Sequence, residues 1–318
     1  MFSGYITDVD GIKVGHKENL KAMTGCSVII AEEGATGGVD VRGSAPGTRE
    51  TDLFQERKTV DKIHAIVLSG GSAFGLDASS GVMKYLEEEG IGFDVGIAKV
   101  PIVSSAVIFD LWIGDKSVRP DFQMGYEAAK SASKIENRQG NVGAGTGATV
   151  GKAMGPGFSM KSGLGSASVS VGDLVVGAMV SVNAVGDIFD FRDNSKIAGV
   201  YDYENKSFLD TIEIIKAGHL RNSSGTNTTI GVIATNAILT KSEGNKIAEM
   251  GHNAFARCIN PVHTTMDGDT IFALGTNKVK ADINLVGILG IEVMMRAIVN
   301  AVKSAKSFEN FKSYSDII

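Results

Sequence analysis

Glycine sets the strongest limit on what this chain can fold into. Forty of its 318 residues are glycine, against 5 prolines, and the stretch 139–166 is the densest. A flexible linker is excluded, because 43 % of the residues are hydrophobic and only 21 % charged, enough to bury a sizeable core. In an ordered chain such glycines mark tight turns and places where backbone approaches backbone. The length suits two ordinary domains or one large α/β unit.

Charge and cysteine usage remove several function classes. A net charge of −5 leaves no basic surplus to displace counterions, so no nucleic-acid partner is expected. Cys26 and Cys258 lie far apart without a CxxC spacing, which argues against a disulfide scaffold and a thiolate metal site. They read as buried reduced thiols. The five histidines show no HExxH-type spacing and read as structural or surface residues. The N-terminus has no basic segment followed by an apolar core, so a signal peptide is not expected and the cytoplasm is the expected location. The apolar run Leu285 to Val302 is interrupted by Glu292 and Arg296, spaced to pair on one helix face. It reads as a core helix, and no membrane partner is expected.

Several elements are legible. The first 60 residues read as turn-rich, with a β-like run at Cys26–Ala31. Ile63–Leu68 is a buried-strand signal, followed by a Ser-Gly-Gly-Ser turn and a helix over Gly75–Glu89. A second helix is expected within Phe122–Asn137. Strands are expected at Ala167–Val171, Leu174–Val182, Thr228–Thr235 and Thr270–Gly275, and helices at Glu243–Arg257 and 285–305. Residues 201–227 read as polar loop. The composition breaks sharply at 222–228, where that loop meets a core strand without a turn motif.

Chemistry begins at the junction Asn227-Thr228. A threonine hydroxyl is a weak nucleophile and needs a base. A cut before Thr228 would place a free α-amine, with pKa roughly 7.7–8.0, beside the hydroxyl. The plainer reading makes Thr228 the first residue of a strand, and periodicity does not choose between Thr228 and Thr229. Asp267 and Asp269 would point the same way at an extended strand entrance; the alternative is an ordinary Asp-Gly turn. Lys152 closes a glycine-rich run, but Ala153 breaks the phosphate-loop pattern. It reads as a desolvated charge-setting group or as a solvated loop lysine. Asn183, at a strand end, is an oxyanion donor or a turn cap. Ser72 lacks the final glycine of a nucleophile elbow. Gly70 and Gly71 beside it would let backbone approach a substrate or another strand.

Together these signals resemble a family. The chain is similar to the DmpA-type β-aminopeptidases and, more closely, to the 6-aminohexanoate-oligomer hydrolases, both self-cleaving hydrolases with an N-terminal nucleophile. The likeness spans most of the chain. It rests on Gly11–His16, Gly38–Asp52, Leu68–Asp77, Val100–Val103, Asn227-Thr228 six residues before Ala234-Thr-Asn, and Asp267-Gly-Asp269. It implies a four-layer α/β/β/α sandwich of the DmpA and ornithine acetyltransferase type, formed by 1–318 as one α/β domain. It also implies homo-oligomers, with a tetramer favoured. The resemblance makes Thr228 the nucleophile and the Asn227-Thr228 bond the cleavage site, giving chains 1–227 and 228–318. Lys152, Asn183, Asp267 and Asp269 occupy the supporting positions. Some aminopeptidase members carry an oxyanion tyrosine shortly after Val-Pro-Ile-Val; this chain has Phe109 in that neighbourhood. The implied activity is hydrolysis of small peptides or amides, with neither metal nor organic cofactor expected. The competing readings are an acyltransferase of the ornithine acetyltransferase type and an uncleaved, non-catalytic binding homologue.

Overall fold

The computed structural model describes residues 1–221 and 225–317. Eight strands carry the architecture: β1 (Ile12–Asn19), β2 (Thr24–Val41), β3 (Lys62–Ser69), β4 (Val103–Val107), β5 (Leu164–Val171), β6 (Leu174–Ser181), β7 (Ile230–Ala237) and β8 (Thr270–Val279). Four helices flank them: α1 (Ala78–Glu88), α2 (Phe122–Lys130), α3 (Lys241–Cys258) and α4 (Ile283–Lys303).

Side-chain alternation sorts these elements into layers. In β7, Val232 and Ala234 face one way and Ile233 the other; in β8, Phe272 and Leu274 oppose Ile271 and Ala273. In β3, Ile66 and Leu68 oppose Ala65 and Val67. Both faces are buried, which is why these strands read as unbroken apolar runs. The middle core joins Ile29, Ile66, Leu68, Val232 and Phe272 from the two halves of the sheet. One outer core packs Ile233 and Ile271 against α3 and α4, through Phe255, Val293 and Ile298. The other packs Val28 and Val67 against Val82 and Leu86 of α1 and Ala128 of α2. The result is the expected four-layer α/β/β/α sandwich.

Its two β layers are a single hydrogen-bonded sheet, ordered β5-β6-β7-β8-β2-β3-β4. The link is β2. Its first half pairs with β1 and its second half with β8, and its register against β3 breaks between Ile30 and Ala35. The pairs β7/β8 and β3/β4 are parallel; the other pairs among these strands are antiparallel.

Several expectations need correction. The first 60 residues hold β1 and the 18-residue β2 instead of a turn-rich segment with one short strand. Glycine disguised them. A Cβ on Gly38 would lie 2.0 Å from the Gly244 carbonyl carbon, so that glycine lets α3 sit directly on the strand. Residues 201–227 include the helical turn Thr211–Lys216, capped by the Asp210 carboxylate. Six residues, three of them isoleucine, are too short a run to show a helical period. Of the composition break at 222–228, residues 222–224 lie outside the described residues. The strand expected from Thr228 begins at Ile230. The helix expected from Gly75 starts as a 3₁₀ turn over Ser72–Asp77, and the one expected within 122–137 ends at Lys130. The run 285–302 is a core helix, with Glu292 and Arg296 paired as their spacing implies.

Phe272 contacts Phe54 with ring centroids 5.7 Å apart in the middle core. Phe272→Ala is expected to cost about 3–5 kcal/mol, read as a fall in the urea unfolding midpoint.

Candidate active site

Strand order gathers the site. Because β7 and β8 run parallel with Ile230 opposite Thr270, their preceding residues also meet, and Asn227 bridges Asp267. On the other side of β7, antiparallel β6 ends where β7 begins, with Ser181 opposite Ile230, so Asn183 arrives beside Thr228. The glycine-rich segment brings Lys152 under the same strand ends, where its N–H donates to the Val185 carbonyl at 3.0 Å. Asn183, Asn227, Thr228, Lys152, Asp267 and Asp269 are all at most 4 % exposed.

The Asn227 carbonyl receives two donors. The Thr228 hydroxyl lies 2.5 Å from it and the Gly268 N–H 3.0 Å. The Thr228 N–H donates to the Asn183 carbonyl at 3.1 Å. The nucleophile candidate is therefore held against the bond it would cut. A rigid backbone donor already sits where negative charge would develop on the carbonyl oxygen. The Gly268 N–H was not legible as a separate feature, although Asp267-Gly-Asp269 contains it.

Asn183 is oriented at every polar atom. Its Oδ1 accepts from Lys152 Nζ at 2.7 Å and from the Thr149 N–H at 3.1 Å, and its Nδ2 donates to the Phe109 carbonyl at 3.1 Å. One N–H of Asn183, read as an oxyanion donor, is therefore spent on Phe109, and the Gly268 N–H serves the Asn227 carbonyl. Phe109 contributes that carbonyl, and its ring meets Trp112 edge-on at 5.5 Å.

Lys152 is no solvated loop lysine. Its Nζ donates to the Asn183 carbonyl at 2.9 Å, to Asn183 Oδ1, and to the Thr226 carbonyl at 3.3 Å. Burial pulls its pKa down to about 7, opposed by the charges of Asp267 and Asp110. Burial, and then the neighbouring Asp269 charge, push Asp267 up to about 6. The plain Asp-Gly turn is replaced by two braces. Asp267 Oδ2 accepts from the Thr264 N–H and hydroxyl at 2.9 and 2.6 Å. Asp269 accepts from the Thr229 N–H at 2.7 Å and from His263 Nδ1 at 2.9 Å. His263 thus belongs to the support of the site. No ligand-type spacing announced it.

Asp110 was also missed. It is 4 % exposed and accepts from the Gly71 N–H and the Thr24 hydroxyl, each at 2.7 Å. Burial raises its pKa to about 6. A Cβ on Gly70 would lie 2.0 Å from Asp110 Oδ2, and Gly71 has φ +80°. At Gly70 the close approach is therefore to a carboxylate, whereas a Cβ on Gly71 would meet Pro120 at 2.9 Å. Both cysteines are free and buried, and burial pushes the Cys258 thiol up to about 12.

A buried threonine hydroxyl therefore rests on its own preceding carbonyl, in a fold that solved structures share. The Ochrobactrum anthropi L-aminopeptidase D-Ala-esterase/amidase, described as a variant of the Ntn hydrolase fold, superimposes with TM-score 0.71 at 17 % identity, covering 96 % of this chain and 89 % of that one. A Burkholderia sp. β-aminopeptidase superimposes with TM-score 0.67 at 21 % identity, covering 95 % and 87 %. The model of peptidase family S58 matches residues 4–315, and the chain belongs to that family. An uncharacterised aminopeptidase of Mycobacterium leprae is 37 % identical over 97 % of this chain and 92 % of its own length. The 6-aminohexanoate-oligomer endohydrolase of Kocuria sp. is 33 % identical over 93 % and 85 %.

A Cβ on Gly268 would lie 2.8 Å from Thr228 Oγ1 and 2.6 Å from the Ala45 carbonyl oxygen. Gly268→Ala should displace the hydroxyl and slow cleavage of the Asn227-Thr228 bond at least tenfold, measured by intact mass against time.

Proposed function

We propose that this protein is a self-processing amide hydrolase whose nucleophile is Thr228. The observation that carries the reading is the Asn227 carbonyl held between the Thr228 hydroxyl and the Gly268 N–H. In the precursor the Thr228 oxygen bonds to the Asn227 carbonyl carbon as the C–N bond breaks. The hydroxyl proton passes to the departing nitrogen, which becomes the α-amine of Thr228. Water then hydrolyses the ester, leaving chains 1–227 and 228–318.

In the mature enzyme the same oxygen attacks a substrate amide. The α-amine takes the hydroxyl proton and returns it to the leaving amine, and water resolves the acyl-enzyme. Lys152 sets the electrostatics of that amine, because a neighbouring cation disfavours the ammonium form. Asp267 and Asp269 hold the segments around Thr229 and Thr264. Asn183 is a second oxyanion donor through the Nδ2 hydrogen that Phe109 does not take. The substrates are small peptides or amides, in keeping with the aminopeptidase and oligomer-hydrolase names of the relatives.

The enzyme works in the cytoplasm as a homo-oligomer, with a tetramer favoured. The hairpin that pairs Phe93 with Val100 supports self-association, since it leaves Val95 49 % and Ile97 97 % exposed.

Thr228→Ala is expected to stay a single chain without amidase activity; a cut or active variant would overturn the assignment. The acid limb of kcat/KM for the wild type should lie below the ordinary α-amine range of roughly 7.7–8.0, because the neighbouring Lys152 cation disfavours the ammonium form of the base. Lys152→Met removes the adjacent cation, so any residual activity should show that limb moved upward, toward roughly 7.7–8.0.

A further inference from the structure

One buried carboxylate beside the site has no part in the reaction proposed above. Asp110 Oδ1 accepts from the Gly71 N–H and Oδ2 from the Thr24 hydroxyl, each at 2.7 Å. The residue before it, Phe109, gives its carbonyl to Asn183 Nδ2 at 3.1 Å. Building on the reading of Thr228 as nucleophile, we propose that Asp110 is a positioning residue for that reaction. By fixing the Phe109-Asp110 peptide unit, it decides which end of the Asn183 amide faces Lys152 and where the remaining Nδ2 hydrogen points.

That peptide unit is bracketed on both sides. Before it, the Ile108 N–H donates to the Ser69 carbonyl at 2.8 Å, and the Ile108 carbonyl accepts from the Ser72 N–H at 2.9 Å. After it come the two carboxylate bonds, and the Asp110 carbonyl accepts from the Ile113 N–H at 3.2 Å. Backbone crowds the side chain as well. A Cβ on Gly70 would lie 2.0 Å from Asp110 Oδ2, and one on Gly147 would lie 2.5 Å from the Asp110 Cβ. The Ser-Gly-Gly-Ser turn is thus built against Asp110, and the glycine-rich segment closes over it. Two residues beyond Gly147, the Thr149 N–H donates to Asn183 Oδ1 at 3.1 Å. Asp110 therefore packs against both segments that hold the Asn183 side chain.

The direction of an amide matters because its two ends have nearly one shape and opposite roles, so neighbours decide which way it faces. The Phe109 carbonyl only accepts and takes Nδ2. The Thr149 N–H and Lys152 Nζ only donate and take Oδ1, the lysine at 2.7 Å. With the Phe109 carbonyl moved away, nothing would hold the NH2 end, and a turned amide would set it against the Lys152 ammonium. A charge-assisted bond would give way to two donors face to face. The hydrogen that Phe109 does not take would also change direction. A carboxylate is suited to prevent this. Its burial is costly unless its oxygens are bonded, and both are. Bonds to an ionised acceptor are about twice as strong as neutral ones, so they hold the loop firmly.

The test times self-cleavage from synthesis, in cell-free translation of the full chain, for the wild type, Asp110→Ala and Asp110→Asn. Asp110→Ala is expected to cut about tenfold more slowly or worse, since a misplacement of about 1 Å can cost up to roughly 10²-fold. Asp110→Asn keeps an acceptor for Gly71 and a polar group for Thr24, and is expected to cut at least threefold faster than Asp110→Ala. Crystal structures of the Thr228→Ala chain, with and without Asp110→Ala, give a readout that general destabilisation does not move. Asn183 Nδ2 should part from the Phe109 carbonyl, beyond about 3.5 Å, only where Asp110 is replaced. Asp110→Ala within threefold of wild type, Asp110→Asn no faster than Asp110→Ala, or an unmoved Asn183 would each overturn the inference and leave the nucleophile standing. If Asp110→Ala shows no cooperative urea transition, Thr24→Val, which removes one of the two bonds, takes its place under the same criteria. A wild-type chain that stays whole, or a Thr228→Ala chain that cuts, overturns the nucleophile reading and this inference with it.

Discussion

The parallel pairing of β7 with β8 is the constraint on which the rest of the site depends. Parallel neighbours require a crossover, and α3 provides it, returning the chain so that both strands start at one end of the sheet. Thr229 and Asp269 are separated by 40 positions in sequence yet bonded at 2.7 Å. Because the strands start together, the residues just before them also pair, and the Asn227 carbonyl falls on the Gly268 N–H. A slip in this register would separate the bond to be cut from its donor and would turn the middle-core residues of β7 outward.

Burial then does electrostatic work at that strand end. Lys152 and Lys161 are both enclosed, and burial lowers each to about 7. Lys161 donates to the carbonyls of Gly145, Ala148 and Ser162 at 3.2, 2.9 and 2.5 Å. It thereby anchors the loop whose Thr149 N–H fixes Asn183. On the acidic side, burial raises Asp110 and Asp267 to about 6. Cationic and anionic groups are thus pushed toward each other from opposite ends of the pH scale. Proton exchange near neutral pH is cheapest in such a place, and perturbed groups of this kind concentrate at functional sites. The arrangement is in place in the continuous chain, around the Asn227-Thr228 bond whose cleavage is proposed above.

Much of the fold was legible because buried strands announce themselves. The runs at Ile63–Leu68 and Thr270–Gly275 fall inside β3 and β8, and the helix read at Glu243–Arg257 lies within α3. The turn-rich reading of the first 60 residues failed: Gly37 and Gly38 within it are strand residues, pressed against Phe54 and α3, where the close-approach role expected of glycine holds. At the site, Lys152, Asn183, Asp267 and Asp269 all lie around the Asn227-Thr228 junction, Asp269 through Thr229. Gly268, His263 and Asp110 were not legible. A backbone N–H has no letter of its own, and His263 and Asp110 gain their roles only through tertiary contacts with Asp269 and Gly71. The direction of the Asn183 amide was also invisible, because Phe109 takes part through its carbonyl and not its side chain.

The central claim is that this chain cuts itself between Asn227 and Thr228. Intact mass under denaturing conditions, followed by N-terminal sequencing of the smaller species, tests it most directly on freshly purified and then incubated wild-type protein. The account predicts two chains that together complete the sequence, the smaller beginning at Thr228. A single chain of 33.3 kDa that survives long incubation, or a cut at any other bond, would contradict it.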